Sequence, residues 1–289
     1  MKRLKIISFL LVLALLIPSC KKEEHKEQKT GNSIIEFYVR SILLKAPIDE
    51  AQQAINLFLP ADIDIKSVKP DITISEGATI DPPSFQIIDL SNPVEFTVTA
   101  EDGNQKVYTV YTEQLTDTAF MIIDVQNGWT MDCYKYEEVL DNINLIADNA
   151  RAAGKPVVYV YDYSYPDNYN GWELQICDAI SPQNGDFVLG KKNTVDVFDG
   201  TTKVIKKLNE LGVGVVILSG ISSGRCVDGS CIGSLDRGYK VIMASDCHTL
   251  KPAGFDGEVW AADQIITYNT KWANKGAAVV KAEEITFSQ

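Results

Sequence analysis

The sequence predicts two folded regions, a small β-sandwich followed by an α/β domain on a mostly parallel, doubly wound sheet. Residues 33–115 contain short β-rich runs separated by Pro, Gly and Asp-Gly turn signals, which is typical of a sandwich. From residue 116 to residue 289 the pattern changes, and buried apolar strands alternate with amphipathic helices. That alternation favours a parallel sheet with helices on both faces.

A secretion signal is predicted at residues 1–19, where basic residues precede an apolar run at 6–17. The run is too short for a permanent span, which needs about 20 apolar residues. The sequence Leu-Ile-Pro-Ser-Cys ending at Cys20 resembles the lipobox of bacterial lipoproteins, although Pro18 departs from the usual pattern. The resemblance implies that Cys20 is lipidated. The alternative is an ordinary signal peptide with an incidental cysteine.

Residues 20–32 form a polar segment that buries too little apolar surface to offset the entropy of ordering, which predicts a flexible tether. The tether begins Lys-Lys-Glu-Glu after Cys20, which resembles signals that send lipoproteins to the outer cell surface. We therefore expect an outer membrane lipoprotein held by its lipid anchor, facing either the periplasm or the exterior.

Charge and composition exclude several classes of partner. Acidic residues outnumber basic ones 39 to 27, and no basic cluster lies outside the leader, so nucleic acid is not an expected partner. The chain has six cysteines and two histidines, without a Cys-x-x-Cys pair, so neither a metal site nor another cofactor is expected. A small-molecule substrate is expected, and homo-oligomerisation stays open.

The clearest element of the first region is a hairpin, in which strands at 94–99 and 106–111 flank an Asp102-Gly103 turn. Further strands are predicted at 34–39, 54–59, 71–75 and 85–89. The runs at 72–80 and 94–103 resemble the immunoglobulin-like modules of bacterial surface lipoproteins. Such modules act as spacers or contact glycans, and no clear aromatic platform favours the second role here.

In the second region the apolar runs and the helical periodicity predict alternating elements. Strands are expected at 119–124, 156–161, 187–190, 213–220, 240–244 and 277–282, and helices at 136–153, 201–211, 226–237 and 258–271. Active sites of such sheets lie beyond the carboxyl ends of the strands. Asp124 and Cys226 both fall there.

Three residues are candidates for catalysis. Cys226 follows an apolar strand and begins a predicted helix, whose N-terminus favours a thiolate. Asp124 ends five nonpolar residues with a charge, and a carboxylate beside a thiol can take its proton and pass it to a leaving group. Lys192 would supply a cation that keeps both groups charged. Taken singly, each has a simpler explanation, namely a packing cysteine, a helix-capping aspartate and an exposed loop lysine.

Together, and in this order, the three motifs resemble the isochorismatase-like cysteine hydrolases over residues 117–287. Asp124 begins Asp-Val-Gln-Asn, similar to the family's Asp-x-Gln-Asn element. Lys192 lies six residues before Phe198 of Phe-Asp-Gly-Thr, similar to the family's lysine followed by Phe-x-Gly-Thr. Cys226 matches the nucleophile of a motif that runs from Gly220 to Val227.

The resemblance implies a cis Ile221-Ser222 peptide, an oxyanion hole formed by the amides of Ser222 and Cys226, and attack by Cys226 on a carbonyl. Asp124 would act as the acid, Lys192 would stabilise the charged pair, and a thioester would then be hydrolysed. Asp162-Tyr163-Ser164 lacks the histidine of the metal-binding nicotinamidases. Metal-assisted binding of nicotinamide is therefore not expected. Isochorismatase proper cleaves a vinyl ether and needs no thiol, so the presence of Cys226 favours an amide, ureido or carbamoyl substrate. The alternatives are a non-catalytic surface binding protein with a degenerate hydrolase domain and a structural lipoprotein.

Overall fold

The structure is a computed structural model that describes residues 28–60, 62–164, 171–199 and 202–287. The predicted signal peptide, the lipidation residue Cys20 and most of the tether lie outside the described residues. Across the ranges described, no helix combines the length and the apolar character needed to cross a bilayer.

Two sheets pack face to face in the first region, and between them lies a core that includes Phe37, Phe96 and Tyr108, all fully buried. One sheet has the order β2-β1-β5 and the other the order β3-β4-β8-β7-β6; all neighbours are antiparallel except β4 and β8. The strands are β1 Ile34–Val39, β2 Leu44–Lys45, β3 Ile48–Asp49, β4 Ala54–Pro60, β5 Asp71–Ile74, β6 Thr79–Asp81, β7 Val94–Thr99 and β8 Gln105–Leu115.

The predicted hairpin is present, because β7 and β8 pair from Thr99 opposite Gln105 to Val94 opposite Val110. The predicted strand at 85–89 is absent. Phe85 has a φ of 65°, outside the range of a β-strand, and the only ladder contact is an isolated bridge between Val68 and Ile88. The apolar alternation there comes from a loop that packs Ile88 into the core.

The second region is built on a six-stranded sheet with the order β11-β10-β9-β12-β13-β14, in which every pair of neighbours is parallel. Its strands are β9 Asp117–Ile123, β10 Val157–Asp162, β11 Phe187–Lys191, β12 Val213–Ile221, β13 Lys240–Thr249 and β14 Ala278–Val280. The chain winds outward from β9 to β11 and then returns to β12. The switch point, where ligands of such sheets bind, therefore lies between β9 and β12.

Helices cover both faces of this sheet and give each face its own apolar core. They are α1 Asn127–Thr130, α2 Tyr136–Ala152, α3 Val204–Glu210, α4 Asp228–Asp236 and α5 Gly257–Asn274. The predicted helix at 136–153 is present as α2, and apolar residues that recur with helical spacing along it face the core, with Ile143, Ile146 and Ala150 fully buried. Two helices start later than predicted. α3 begins at Val204, and α4 begins at Asp228 because residues Ser223–Val227 form a turn of π-helix before it.

The sandwich contacts the α/β domain at the end of the sheet where the parallel strands begin. Only Thr116 separates β8 from β9. Near the start of β13, a Cβ atom added to Gly238 would lie 2.7 Å from Cδ1 of Ile63 in the sandwich. A small cavity of about 30 Å³ is lined by residues of both parts, among them Phe58 of the sandwich and Tyr239 of the α/β domain. The sandwich thus occupies the end opposite the carboxyl ends of the strands.

Candidate active site

A cavity of about 930 Å³ opens at the carboxyl ends of the parallel strands, and both Asp124 and Cys226 line it. Asp124 follows β9 directly, and Cys226 lies in the π turn after β12, so the two residues meet at the switch point. Cavities at this position are the usual ligand sites of open α/β sheets. Asp124 and Cys226 thus lie together at the end of the sheet that the sequence predicted for them.

Gly220 allows the two central strands to approach each other here. Its φ is 129°, and an added Cβ atom would lie 2.1 Å from the carbonyl oxygen of Ile123. Only glycine has neither the steric restriction on φ nor the side chain that would collide. The glycine of the predicted Gly220–Val227 motif thus brings the nucleophile's strand against the strand of Asp124.

The lysine of the site is Lys191, and the prediction of Lys192 is wrong. Lys191 Nζ lies 3.0 Å from Asp124 Oδ2 and 3.4 Å from Cys226 Sγ. Its side chain is fully buried, with 0% relative exposure. Lys192 is exposed, and its Nζ lies 5.9 Å from the centre of the Tyr163 ring.

The pairing of the edge strand explains this difference. Lys191 is the last residue of β11 and pairs in register with Asp162 of β10. Successive side chains of a strand point to opposite faces, so a shift of one residue exchanges a buried position for an exposed one. Counting back from Phe198 along the sequence cannot decide between the two lysines, because the chain between the lysines and Phe198 turns at Asn193, where φ is 55°.

A second carboxylate, Asp162, also binds this lysine. Lys191 Nζ lies 3.0 Å from Asp162 Oδ2 and donates a 2.8 Å hydrogen bond to the Thr194 carbonyl. Asp162 Oδ1 accepts hydrogen bonds from the amide and the hydroxyl of Ser164. In the sequence, Asp162 belongs only to an incomplete metal motif, whereas in the structure it is the second carboxylate of the site.

Gln126, the third residue of Asp-Val-Gln-Asn, holds Asp162 in place. Its Oε1 accepts a 2.8 Å hydrogen bond from the Asp162 amide, and its Nε2 donates a 3.0 Å bond to the Asp162 carbonyl. The side chain is fully buried at 0% exposure. The motif therefore contributes one carboxylate directly and fixes the backbone of the other.

Burial and charge set the protonation of the three groups. Burial raises the pKa of Asp124 to about 6, against the opposing effect of the Lys191 ammonium. Burial is the main cause that raises the pKa of the Cys226 thiol to about 12, and the nearby Asp124 carboxylate acts in the same direction. Burial alone would lower the pKa of Lys191, but its anionic neighbours raise it above its usual value. At neutral pH the resting site thus holds a carboxylate, an ammonium and a neutral thiol.

The Asp124 carboxylate has one oxygen available for a proton. Oδ2 binds Lys191, whereas Oδ1 is buried without a hydrogen-bond partner among the described residues. A buried carboxylate oxygen without a donor is unfavourable in a folded protein. The Asp124 and Cys226 side chains interact directly, so this carboxylate can accept the thiol proton when the sulfur attacks.

The backbone before Cys226 has the expected cis Ile221-Ser222 peptide bond. The carbonyl of Ser222 then accepts hydrogen bonds from the amides of Arg225 at 3.0 Å and Val227 at 3.3 Å. These bonds close the π turn Ser223–Val227, which we call the nucleophile turn. Ser222 and Cys226 both line the cavity.

Arg225 lines the same cavity immediately before Cys226. Its side chain is exposed and has no ion-pair or hydrogen-bond partner among the described residues. The other lining cation, Lys251, forms an ion pair with Asp132 at 2.6 Å. Arg225 therefore presents an available positive charge beside the nucleophile in a chain whose net charge is −12.

Within the residues that the structure describes, no group of three or more His, Cys, Asp or Glu side chains is placed so that it could hold a metal ion. Asp162 is engaged by Lys191 and Ser164. Both ring nitrogens of His248 are also engaged, with Ser223 and Asn269. The carboxylates that line the cavity are thus already paired with lysines, an arrangement that does not fit a metal centre.

Two family models match the chain. A model of the isochorismatase domain matches residues 118–263, about half of the chain, and a model described as "SGBP, N-terminal" matches residues 34–112. The first range contains Asp124, Lys191 and Cys226. The second coincides with most of the sandwich.

Characterised relatives share only part of the chain. Maleamate amidohydrolase of Pseudomonas putida is 31% identical over 71 residues, which cover 25% of this chain and 32% of the relative. Ureidoacrylate amidohydrolase RutB of Klebsiella pneumoniae is 25% identical over 179 residues, which cover 47% of this chain and 75% of the relative. N-carbamoylsarcosine amidase of Arthrobacter is 28% identical over 151 residues, which cover 43% of this chain and 56% of the relative.

Solved structures share the fold of the second region. An isochorismatase from Pseudomonas putida matches with a TM-score of 0.52 at 24% identity, covering 60% of this chain and 92% of the other. A cysteine hydrolase from Pseudomonas syringae pv. phaseolicola matches with a TM-score of 0.52 at 20% identity, covering 58% and 90%. At such identities the likeness establishes the shared fold.

Proposed function

This chain belongs to the isochorismatase family, and from that premise we propose that it is a cysteine hydrolase that cleaves a C–N bond of a small amide, ureido or carbamoyl substrate. The observation that carries the proposal is the buried contact of Lys191 with both Asp124 and Cys226 at the end of the cavity. The named relatives, which act on maleamate, ureidoacrylate and N-carbamoylsarcosine, support C–N cleavage.

In the first half of the reaction, Asp124 Oδ1 takes the proton of Cys226 while the sulfur bonds to the substrate carbonyl carbon. A neutral resting thiol makes this proton transfer necessary. Lys191 stabilises the thiolate as it forms, because its ammonium lies 3.4 Å from the sulfur. When the C–N bond breaks, Asp124 returns that proton to the leaving nitrogen, and a thioester remains on Cys226.

In the second half, water attacks the thioester carbon. Asp124, ionised again, accepts a proton from the water, the carbon–sulfur bond breaks, and Cys226 leaves as a thiolate next to Lys191. Asp124 then reprotonates the sulfur, which restores the resting site. The pKa of Asp124, about 6, suits a group that must both accept and donate a proton near neutral pH.

Two backbone amides supply the oxyanion hole in this proposal. They belong to Ser222, which directly precedes the nucleophile turn, and to Cys226 within the turn, and both residues line the cavity. Backbone N–H groups that point at the developing oxyanion are worth roughly 10²–10³ in rate per donor. The expected contacts are therefore between the substrate carbonyl oxygen and these two amides.

Within the proposed class, Arg225 favours substrates that carry an acid group. Its guanidinium has no partner among the described residues and faces the cavity beside the nucleophile. Arginine binds carboxylates through two parallel hydrogen bonds, which fixes both position and orientation. A ureido acid would place its carboxylate on Arg225 and its ureido carbonyl at Cys226.

The test is a screen for ammonia release with ureido acids, carbamoyl acids and their neutral ester or amide analogues. We expect turnover by the wild-type chain, a covalent adduct on the Cys226 peptide under acid quench, and loss of both in Cys226→Ala. Cys231→Ala is the matched control, because Cys231 is also a free cysteine and is fully buried in α4 away from the cavity. Turnover that survives Cys226→Ala would overturn the mechanism.

For the whole chain we propose a lipid-anchored protein in which the sandwich holds the hydrolase away from the outer membrane. The sandwich packs against the end of the sheet opposite the cavity, which supports a spacer role. Mass spectrometry of the membrane fraction should find an acylated N-terminal Cys20. A soluble, unmodified protein with a different N-terminus would refute the anchor and leave the hydrolase proposal intact.

A further inference from the structure

His248 takes no part in the reaction proposed above, yet it lies directly behind the nucleophile turn. It belongs to β13 and pairs in register with Gly220, the residue that leads into the turn. Only 1% of its surface is exposed. A buried histidine costs desolvation unless its ring nitrogens find partners, so its hydrogen bonds show what it is holding.

Both ring nitrogens have a partner, and the partners determine the tautomer. Asn269 donates its Nδ2 hydrogen to the Ser245 carbonyl at 3.0 Å, which leaves Asn269 Oδ1 as the acceptor that faces His248 Nε2 at 3.0 Å. Nε2 must therefore carry the hydrogen. Nδ1 is then an acceptor, and the Ser223 hydroxyl donates to it at 2.9 Å.

Ser223 begins the nucleophile turn and is fully buried. The chain of hydrogen bonds thus runs in one direction, from the Ser223 hydroxyl through the imidazole and the Asn269 amide to the Ser245 carbonyl. Hydrogen bonds aligned in this way reinforce one another in a medium of low dielectric. Such a chain gives Ser223 one orientation.

One segment of α5 also holds the rest of the turn. Trp272 donates to Asp228, the residue that follows the turn, at 3.0 Å, and its ring packs edge-on against His248 with centroids 4.7 Å apart. Near the middle, a Cβ atom added to Gly224 would lie 2.4 Å from the Tyr268 hydroxyl oxygen. Residues 268–272 of α5 therefore approach Gly224 within the turn and bind Asp228 directly after it, and Asn269 is linked to Ser223 at its beginning through His248.

We propose that His248, oriented by Asn269, is a positioning residue that holds Ser223 and thereby fixes Cys226 against Asp124 and Lys191. This role rests on the proposed hydrolase function, since it concerns the geometry of the same nucleophile. The imidazole acts as a fixed neutral acceptor and exchanges no proton with the substrate.

The surroundings of His248 agree with a permanently neutral ring. Burial lowers its pKa to about 4. The charged group that opposes this effect is Asp246 on the same strand, whereas the groups that face the ring from α5 and from the turn, Asn269, Trp272 and Ser223, are uncharged. Protonation of Nδ1 would replace its acceptor lone pair by a hydrogen and end the bond donated by Ser223.

The first experiment compares Ser223→Ala with Ser234→Ala. Ser234 is a matched control, because its hydroxyl is also fully buried and donates one hydrogen bond, to the Cys231 carbonyl at 2.9 Å, without contacting the turn. Both variants should lose thermal stability to a similar extent. Only Ser223→Ala should lower kcat, by about 10- to 100-fold, with KM changed less than about threefold, because displacement of a reacting group by about 1 Å has costs of this size.

Alkylation of Cys226 by iodoacetamide, followed on its own peptide, gives a readout that needs no substrate. Burial and the Asp124 carboxylate raise the pKa of the thiol, so a loosened turn should make alkylation faster at neutral pH while hydrolysis becomes slower. The positioning role would be overturned if Ser223→Ala lost as much thermal stability as Ser234→Ala but kept the wild-type kcat and the wild-type rate of Cys226 alkylation. If Cys226 of the wild-type chain is alkylated as expected but the chain hydrolyses none of the compounds, only the hydrolase proposal would be refuted.

The second experiment uses the wild-type chain and decides the matter even if Ser223→Ala does not fold. The protein has two histidines, so the nitrogen resonances of His248 can be assigned by comparison with His25→Gln. We expect a neutral ring protonated on Nε2, with no titration between about pH 5.5 and pH 8, where an ordinary histidine changes charge. Protonation on Nδ1, or titration in that range, would refute the hydrogen-bond chain.

Discussion

The two ends of the parallel sheet are built on opposite principles. Where the strands begin, the sandwich covers the sheet through apolar contacts such as that of Ile63 with Gly238. Where the strands end, three ionisable side chains, Asp124, Asp162 and Lys191, are packed together with little exposure. Apolar burial stabilises a fold, whereas buried charges cost desolvation that even good pairing offsets only in part. The difference indicates that one end maintains the fold and the other is arranged for chemistry.

The largest effect that would test this contrast comes from the two adjacent lysines. Lys191→Met should lower kcat/KM by about 10²–10⁴-fold, because it removes the cation that stabilises the thiolate. Lys192→Met is the control and should change kcat/KM less than about threefold, because that side chain is exposed. Steady-state kinetics measures both. Equal losses in the two variants would contradict the placement of the lysine.

Asp124 is the proton acceptor of the proposed mechanism, and its replacement should separate activity from stability. Asp124→Asn should lower kcat by about 10²–10⁴-fold. Asp124 has a pKa raised to about 6, so the stability that this group contributes is present below pH 4 or so, where both states are protonated, and is lost as pH rises through 6. The variant should therefore melt at a higher temperature than the wild type at pH 7 and show a smaller difference at pH 4. A lower melting temperature at pH 7 would contradict this.

The pH profile of the wild-type chain should reflect the same group. kcat/KM should fall as pH decreases through about 6, the raised pKa of Asp124, because the protonated acid cannot accept the thiol proton. Asp162→Asn replaces one of the two carboxylates near Lys191 by a neutral amide. The Lys191 ammonium should then favour the Asp124 carboxylate more strongly, which should shift this midpoint to lower pH. An unchanged midpoint would show that Asp162 has no electrostatic effect on Asp124.

Arg225 should affect binding more than chemistry. Arg225→Gln should raise KM for ureido acids by about tenfold and leave KM for neutral amide analogues within about twofold, because only the former lose a carboxylate partner. Parallel kinetics on an acid and its amide measures the selectivity. A uniform rise for both substrates would indicate a steric role for this side chain.

The smallest effects on turnover should come from the opposite end of the sheet. Gly238→Val introduces a β-branched side chain at a φ of 76° and against Ile63, and should destabilise the fold by about 1–3 kcal/mol without changing kcat. A protein that begins at Thr116 should keep kcat/KM within about threefold, since the sandwich does not reach the cavity residues. Lost turnover in either protein that remains folded would show that the sandwich end contributes to the site.

Chelation should likewise have little effect. The carboxylates at the cavity are paired with Lys191, and both nitrogens of His248 are engaged within the fold. Treatment with a chelator should therefore leave kcat within about twofold, because no metal-bound water is needed when a thiol is the nucleophile. Activity that is lost with a chelator and restored by zinc would contradict this mechanism.

The sequence by itself determined the architecture, because it depends on periodicities that are local. Alternating residues predicted the β7–β8 hairpin, and the buried face of α2 followed from its helical period. The positions of Asp124 and Cys226 also followed, since each comes at the carboxyl end of a predicted parallel strand. These predictions needed no knowledge of which strands are neighbours.

Only the tertiary structure decided which side chains complete the site. The choice between Lys191 and Lys192 depends on the register of β11 against β10, and a shift of one residue exchanges a buried lysine for an exposed one. Asp162, Ser223 and His248 come from three different elements, so no spacing in the chain joins them to Cys226. Their roles arise from pairing across the sheet and from desolvation at its end, and both are properties of the assembled fold.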